Sequence, residues 1–119
     1  MKVVIAGSRT IKDYALILRA ILQSRFEITE VVCGCAVGVD RLGHQWAILN
    51  EIPIKEMPAQ WQKHGKAAGP IRNREMAEYA DAAIVVWDGK SRGALNMIEQ
   101  MNKLQKPCHI MVITNEDKN

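Results

Sequence analysis

Short apolar runs alternate along the chain with longer segments in which apolar residues recur every three or four positions. The runs, rich in Val and Ile, cover residues 2–6, 28–33, 52–57, 82–87 and 109–114. Runs of this length are typical of buried strands in a parallel sheet. Pro53 in the third run favours a position at the sheet edge, because proline cannot donate a hydrogen bond to a neighbouring strand.

Four helices are predicted between and after these strands. Thr10 and Asp13 have a spacing that resembles a capping box and predicts the start of the first helix, and Gly69-Pro70 opens the third. Pro107 ends the fourth helix before the last strand. The apolar positions on the helices are Tyr14, Ile17, Leu18 and Ile21; Val39, Leu42, Trp46 and Leu49; Met76, Tyr79 and Ala80; and Ala94, Met97, Ile98, Met101 and Leu104.

Strands that alternate with helices are joined by right-handed crossovers and lie parallel in one sheet. The sequence therefore predicts an α/β fold: a three-layer sandwich with about five mainly parallel strands and helices on both faces. Residues 1–114 are predicted to form one domain, and the polar residues 115–119 a tail. With the strand order 3-2-1-4-5, strands 1 and 4 would be neighbours at the point where the order reverses.

Composition and charge argue against several classes of protein, although charge alone does not choose a partner. The 119 residues carry a net charge of +3, which is below the density of Lys and Arg typical of nucleic-acid-binding proteins. The sequence contains no signal peptide and no apolar run long enough for a membrane, so we expect a soluble, cytoplasmic protein without a membrane partner. We predict no disulfide framework, no metal site and no cofactor, because the Cys and His residues lack the spacings these need: Cys33, Cys35, Cys108, His44, His64 and His109.

Glycine-bearing polar loops follow three of the predicted strands. They are "GSRT", "GCAVGVD" and "DGKSRG", and "GKAAGPIRNRE" reaches the same edge from the side. Glycines let backbone N–H groups approach a ligand, and each loop leads into a helix N-terminus, which favours an anion. The sequence thus predicts a site for a phosphate-bearing ligand, with turn glycines and surface cations as the alternative. The loops carry Gly7, Ser8, Arg9, Gly34, Gly38, Lys66, Gly69, Arg72, Asn73, Arg74, Gly89, Lys90, Ser91, Arg92 and Gly93.

The aromatic residues and one further glycine have separate interpretations. Trp46 and Trp87 are predicted to be core residues, whereas Trp61 lies in an irregular segment and could line a pocket for a base. Gly43 is predicted to allow close packing inside the second helix.

Familiar catalytic motifs are missing or incomplete. The chain contains neither a G-x-x-x-x-G-K-[ST] loop nor a G-x-G-x-x-G fingerprint. "GKSRG" matches G-x-S-x-G, but only His109 follows it as a candidate triad partner. P-loop hydrolysis, a dehydrogenase-type dinucleotide site and serine hydrolysis are therefore not expected.

Four segments of the chain together resemble the SLOG superfamily of DNA-processing protein A and the Lonely Guy proteins. In chain order they are "GSR" after strand 1, "GCAVGVD" after strand 2, "AGPIRNREM" and "GKSRGALNMI". The closest resemblance is to its small stand-alone branch related to YspA and YpsA, often found in bacteria and phages. The resemblance implies a Rossmann-like fold that binds a nucleotide or nucleotide-derived ligand. It implies contacts to a phosphate or sugar from Gly7, Ser8 and Arg9, a second wall from Gly34, Ala36, Gly38 and Asp40, further contacts from Arg72, Asn73 and Arg92, and a phosphate cradle from Gly89, Ser91 and Gly93.

Lonely Guy enzymes cleave the N-glycosidic bond of nucleoside monophosphates with an Arg and with the Glu of P-G-G-x-G-T-x-x-E. Here Ala94 stands at the Thr position and Met97 at the Glu position. A thioether cannot replace a carboxylate in this chemistry. Cleavage would then require Arg72 with Glu75, the candidate catalytic pair, or with Asp40.

Three functions follow from these observations. The first is a binding module for a nucleotide-type small molecule, acting as a sensor, carrier or sequestering protein. The second is a nucleoside 5'-monophosphate phosphoribohydrolase. The third is weak binding of single-stranded DNA, as in DNA-processing protein A. Relatives of this type are often oligomeric, so a homo-oligomer is a further expectation.

Overall fold

The computed structural model describes residues 1–114, and the predicted tail at 115–119 lies outside the described residues. Five strands alternate with helices along the chain. In order, the elements are β1 (Lys2–Gly7), α1 (Tyr14–Ser24), β2 (Glu30–Cys33), α2 (Val39–Leu49), β3 (Ile54–Glu56), α3 (Trp61–His64), a 3-10 turn (Gly65–Ala67), α4 (Ala68–Tyr79), β4 (Ala82–Trp87), α5 (Arg92–Lys103) and β5 (Cys108–Val112).

The five strands form one sheet in the order β3-β2-β1-β4-β5, and every neighbouring pair is parallel. This confirms the predicted fold class and the predicted strand order. β1 lies between β2 and β4, and its last residue, Gly7, is in register with Val86. The loops that follow these central strands therefore leave the sheet at the same edge.

Side chains alternate between the two faces of the sheet, and each face has its own core. Val3 and Ile5 of β1 pack with α1 and α2, whereas Val4 and Ala6 pack with α4 and α5. Because the β1 and β4 side chains are buried on both faces, these strands read as continuous apolar runs. The result is the predicted three-layer sandwich.

Two packing predictions from the sequence are confirmed. Trp46 packs against one core and Trp87 against the other. A Cβ atom at Gly43 would lie 2.7 Å from Cγ2 of Ile5, so a glycine is needed for α2 to approach the sheet.

Two details of the helices differ from the predictions. The capping box at Thr10 is wrong: α1 begins at Tyr14, and its N-cap Asp13 accepts a hydrogen bond from the Ala15 amide at 3.0 Å. The carboxylate of Asp13 caps the helix directly, as N-cap Asp residues commonly do. The four-residue helix α3 was not predicted, because it buries no residue and hence shows no apolar periodicity. Among the described residues, the helices are all too short or too polar to cross a membrane.

Candidate functional site

A cleft of about 160 Å³ opens at the carboxyl ends of the central strands, where β1 separates β2 from β4. This is the point in an open parallel sheet at which ligands characteristically bind. The cleft is lined by Ala6, Gly7, Arg9, Ala36, Asp40, Arg72, Asn73, Met76, Ser91, Gly93, Ala94 and Met97.

Two glycines allow the loops around the cleft to pack closely. A Cβ atom at Gly7 would lie 2.0 Å from the carbonyl oxygen of Val86. Gly38 has a φ of +80°, and a Cβ atom there would lie 2.5 Å from the Ser8 carbonyl oxygen and 2.6 Å from the Arg9 Cα. The start of α2 is therefore pressed against the loop after β1, which places Arg9 at the cleft.

Arg72 crosses from α4 to the loop after β2. Its Nη1 donates a hydrogen bond to the Gly34 carbonyl oxygen, and its Nε donates to Oδ1 of Asn73 at 3.0 Å. A Cβ atom at Gly34 would lie 2.6 Å from both Arg72 Nη1 and Asp40 Oδ2. Gly34 therefore leaves room for a cation and a carboxylate beside the same peptide.

Asp40 is a buried carboxyl in the first turn of α2, with 5% of its surface exposed. Its Oδ2 accepts a hydrogen bond from the Ala36 amide at 3.4 Å. Burial raises the pKa of Asp40 to about 6, although Arg72, the nearby backbone amides and Arg9 all favour the charged form. Desolvation outweighs them, so this carboxyl exchanges its proton near neutral pH.

Asn73 is buried next to Arg72 and joins α4 to α5. Its Nδ2 donates to the Gly93 carbonyl oxygen at 3.2 Å and to Oδ1 of Asn96 at 3.0 Å. Asn96 is a site residue that the sequence reasoning missed. Its position on the polar side of α5, one turn after the glycine loop, is the only sequence signal for it.

The carboxylate of Asp88 holds the loop after β4 in its conformation. Oδ1 of Asp88 accepts hydrogen bonds from the amides of Lys90 and Ser91, both at 2.8 Å. Ser91 caps α5 by accepting from the Ala94 amide at 3.4 Å. The Ser91 amide of the predicted phosphate cradle and the neighbouring Lys90 amide are thus already bonded to Asp88. The amides of Arg92 and Gly93 are those that the first turn of a helix leaves without an intrahelical acceptor.

Two shallower depressions adjoin the cleft, and Arg9 and Arg72 line all three. One has a volume of about 230 Å³ and includes Pro70, Arg92 and Asn96; the other has about 390 Å³ and includes Gly34, Val37 and Pro58. Trp61 lines both depressions and is 52% exposed. Its ring lies against α4, since a Cβ atom at Gly69 would be 3.6 Å from Cη2.

The structure brings most of the predicted site residues together and separates a few. Gly34 and Arg92 line the adjoining depressions, and Gly38 lies against Arg9. Eight predicted residues line the cleft itself: Gly7, Arg9, Ala36, Asp40, Arg72, Asn73, Ser91 and Gly93.

Ser8, Gly89 and Glu75 do not line the cleft. Ser8 is 1% exposed, and its hydroxyl oxygen accepts the Asp88 amide at 3.0 Å, so it joins two loops behind the cleft. Glu75 is exposed and lines a separate depression of about 250 Å³ on α4. Lys66, Arg74 and Lys90 are exposed and line neither the cleft nor its two adjoining depressions. Within residues 1–114, no three Cys, His, Asp or Glu side chains are grouped so as to hold a metal ion.

Comparisons with known proteins agree with this architecture. The sequence model of the YspA, cpYpsA-related SLOG family matches residues 1–64, which hold β1 to β3 and the loops after β1 and β2. The Gene 61 protein of Mycobacterium phage D29 is 31% identical over 116 residues, covering 89% of this chain and 92% of that protein. No solved structure gives a significant match. The chain belongs to the YspA, cpYpsA-related SLOG family.

Proposed function

We propose that the protein binds a nucleotide or nucleotide-derived ligand through its phosphate groups, as a sensor, carrier or sequestering module. The observation that carries this proposal is the shared boundary of the cleft and its two depressions. Arg9 and Arg72 line all three, and Arg92 lines one of them. Guanidinium groups that converge on one opening repel one another unless an anion lies between them, and they bind phosphate oxygens in pairs.

The first turn of α5 supports the same position for a phosphate. Gly93 lines the cleft, and nothing lies within 4 Å of a Cβ atom built there, so the backbone is open to a ligand. The amides and the positive end of the dipole of this 12-residue helix favour an anion. A phosphate between Arg72 and the start of α5 would receive donors from both sides.

Asp40 indicates which part of the ligand enters the cleft. A buried carboxylate disfavours a phosphate beside it, but it accepts hydrogen bonds from sugar hydroxyls. The apolar side chains of Met76, Ala94 and Met97 form the opposite wall and suit the carbon face of a ribose. The ribose is thus proposed to lie inside the cleft and the phosphates at its rim.

Trp61 is the proposed platform for the base or for a second nucleoside. Its ring forms a wall of both outer depressions and is half exposed, whereas Trp46 and Trp87 pack on the cores. Aromatic rings bind bases by stacking without regard to their identity. The two depressions, of about 230 and 390 Å³, share Arg9, Trp61 and Arg72.

Isothermal titration calorimetry tests the proposal with nucleoside mono- and diphosphates, ADP-ribose and NAD. At least one should bind with a Kd below about 1 mM. Arg72→Lys should weaken binding at least about tenfold, because the single nitrogen of a lysine cannot replace the planar guanidinium, whose separate nitrogens bond to Gly34 and Asn73 and can also bind phosphate oxygens in pairs. Arg74→Lys is the matched control, since Arg74 lies exposed on the same helix and pairs with Glu78. Absence of binding across the panel would overturn the proposal.

One observation favours a second candidate function, hydrolysis of a nucleoside 5'-monophosphate to free base and ribose 5-phosphate. Asp40 is a carboxyl within the cleft whose pKa lies near 6, a value suited to proton transfer at neutral pH. Glu75, the other candidate, lines a different depression. Release of adenine from AMP by the wild type, abolished in Asp40→Asn but retained in Glu75→Gln, would support this function. Failure to release base at high protein concentration would exclude it for AMP.

A further inference from the structure

Two cysteines in the loop after β2 lie against one another, and Cys35 also lines the depression of about 390 Å³ beside the cleft. The Cys35 amide donates to Sγ of Cys33 at 3.2 Å, and Sγ of Cys35 lies 3.7 Å from the Cys33 carbonyl oxygen. Each sulfur therefore lies against the backbone of the other residue.

The two cysteines differ in accessibility. Cys35 is exposed, and its φ of +63° is strained for a residue with a side chain. It lines a surface cavity of about 220 Å³ together with Arg41, His44 and Glu56, and His44 bonds to Glu56 at 3.2 Å. Cys33 is buried, and burial raises the pKa of its thiol to about 12. A reaction with an oxidant would therefore begin at Cys35.

The peptide between the cysteines holds two residues of the cleft in place. The Gly34 carbonyl accepts the hydrogen bond from Arg72, and the Ala36 amide donates to Asp40. Sγ of Cys33 also contacts the Asp40 carbonyl oxygen at 3.6 Å. A disulfide requires a sulfur–sulfur bond of about 2.05 Å with a restricted dihedral angle, so the Gly34 peptide would have to turn.

We propose that Cys33 and Cys35 form a reversible disulfide that acts as a redox switch on the cleft. Its formation withdraws the Gly34 carbonyl from Arg72 and the Ala36 amide from Asp40. The thiol form is the one that holds the cleft assembled. Only the ligand-binding consequence of this switch rests on the proposed function.

Oxidised glutathione is a sufficient oxidant. The sulfur of Cys35 attacks one sulfur of the glutathione disulfide, whose S–S bond breaks, and the first glutathione leaves as a thiol with the proton of Cys35. The sulfur of Cys33 then attacks Cys35, and the second glutathione leaves with the proton of Cys33. Two protein thiols are oxidised and one glutathione disulfide is reduced to two thiols.

Mass spectrometry of the full chain tests the chemistry after equilibration with oxidised glutathione and blocking of free thiols. The wild type should lose two hydrogen atoms within the peptide that holds residues 33–35. Cys33→Ser should instead retain glutathione on Cys35. Cys108→Ser is the matched control and should behave as the wild type. A wild type that stays reduced, or that stops at the mixed disulfide, would overturn the proposal.

Hydrogen exchange tests the coupling to the cleft without any ligand. Oxidation should speed exchange of the Ala36 amide at least about tenfold, and a dithiol reductant should restore it. Unchanged exchange after disulfide formation would refute the switch. Titration of the reduced and the oxidised protein with nucleotides tests the proposed function separately. If the reduced protein binds no nucleotide, the proposed function fails, whereas mass spectrometry and hydrogen exchange still decide the redox switch.

Discussion

Replacing Asp40 by Asn should stabilise the protein at neutral and basic pH. The pKa of Asp40 is about 6, compared with an ordinary value of 3.8, because the carboxyl is buried. The folded state therefore holds this proton more tightly than the unfolded state does. Between about pH 4 and pH 6 stability is lost as pH rises, because folding must then bury the charged form. A tenfold difference in proton affinity corresponds to about 1.4 kcal/mol. Burial of the charged Asp40 therefore lowers the free energy of unfolding by about 3 kcal/mol above pH 6.

Urea unfolding at several pH values measures this cost. The free energy of unfolding of Asp40→Asn should equal that of the wild type near pH 4 and exceed it by up to about 3 kcal/mol near pH 8. Glu99→Gln removes an exposed carboxylate of α5 outside the cleft and serves as the control for the loss of one negative charge. If the Asp40→Asn difference is the same at both pH values, burial does not govern this carboxyl.

Three further predictions concern packing and contact. Gly34→Ala should lower the free energy of unfolding by about 1–3 kcal/mol, because the methyl group would meet Arg72 and Asp40. Gly93→Ala should lower it little, because the space around Gly93 is open. Equal losses of stability in urea unfolding would contradict this prediction. Ser8→Ala should cost about 1–3 kcal/mol by thermal unfolding, because a loop amide loses its acceptor, and an unchanged Tm would contradict it. Trp61→Ala should weaken nucleotide binding by about 1–3 kcal/mol with no loss of stability, and unchanged calorimetric affinity would refute its stacking role.

The fold could be predicted because the apolar pattern follows directly from burial. β1 and β4 are covered on both faces, so their sequences are uninterrupted apolar runs. Where a helix or strand buries few side chains, the spacing of its apolar residues does not predict it. The helix α3 is mostly exposed, and it was not predicted for that reason.

The location of the candidate site followed from topology, but the hydrogen bonds within it did not. Loops after parallel strands meet at one edge, which is enough to predict that Arg9, Gly34 and Ser91 lie near one another. Whether an amide faces a ligand or an internal carboxylate depends on tertiary geometry. Asp88 occupies two amides of the loop that resembles a phosphate cradle, and its part in the loop was not predicted.

The position of Glu75 illustrates the same limit on one helix. Glu75 follows Arg72 by less than one turn of α4, and the two side chains line a shared depression. Only Arg72 also reaches the cleft, because its longer side chain bonds to the Gly34 carbonyl across the opening. The buried carboxyl of the cleft comes from α2 instead, and sequence spacing alone could not decide between them.

Heteronuclear NMR shows most directly whether a phosphate-bearing ligand binds in the cleft. The backbone amide chemical shifts of the reduced protein are followed during titration with ADP-ribose or a nucleoside diphosphate. We expect the largest shifts in three segments far apart in sequence: residues 7–9, residues 34–38 and residues 91–93. Adenosine, which lacks the phosphate, should produce much smaller shifts in the last segment. Shifts confined to another surface, such as the exposed side of β5, or equal shifts with adenosine, would contradict a phosphate-binding cleft at the carboxyl edge of the sheet.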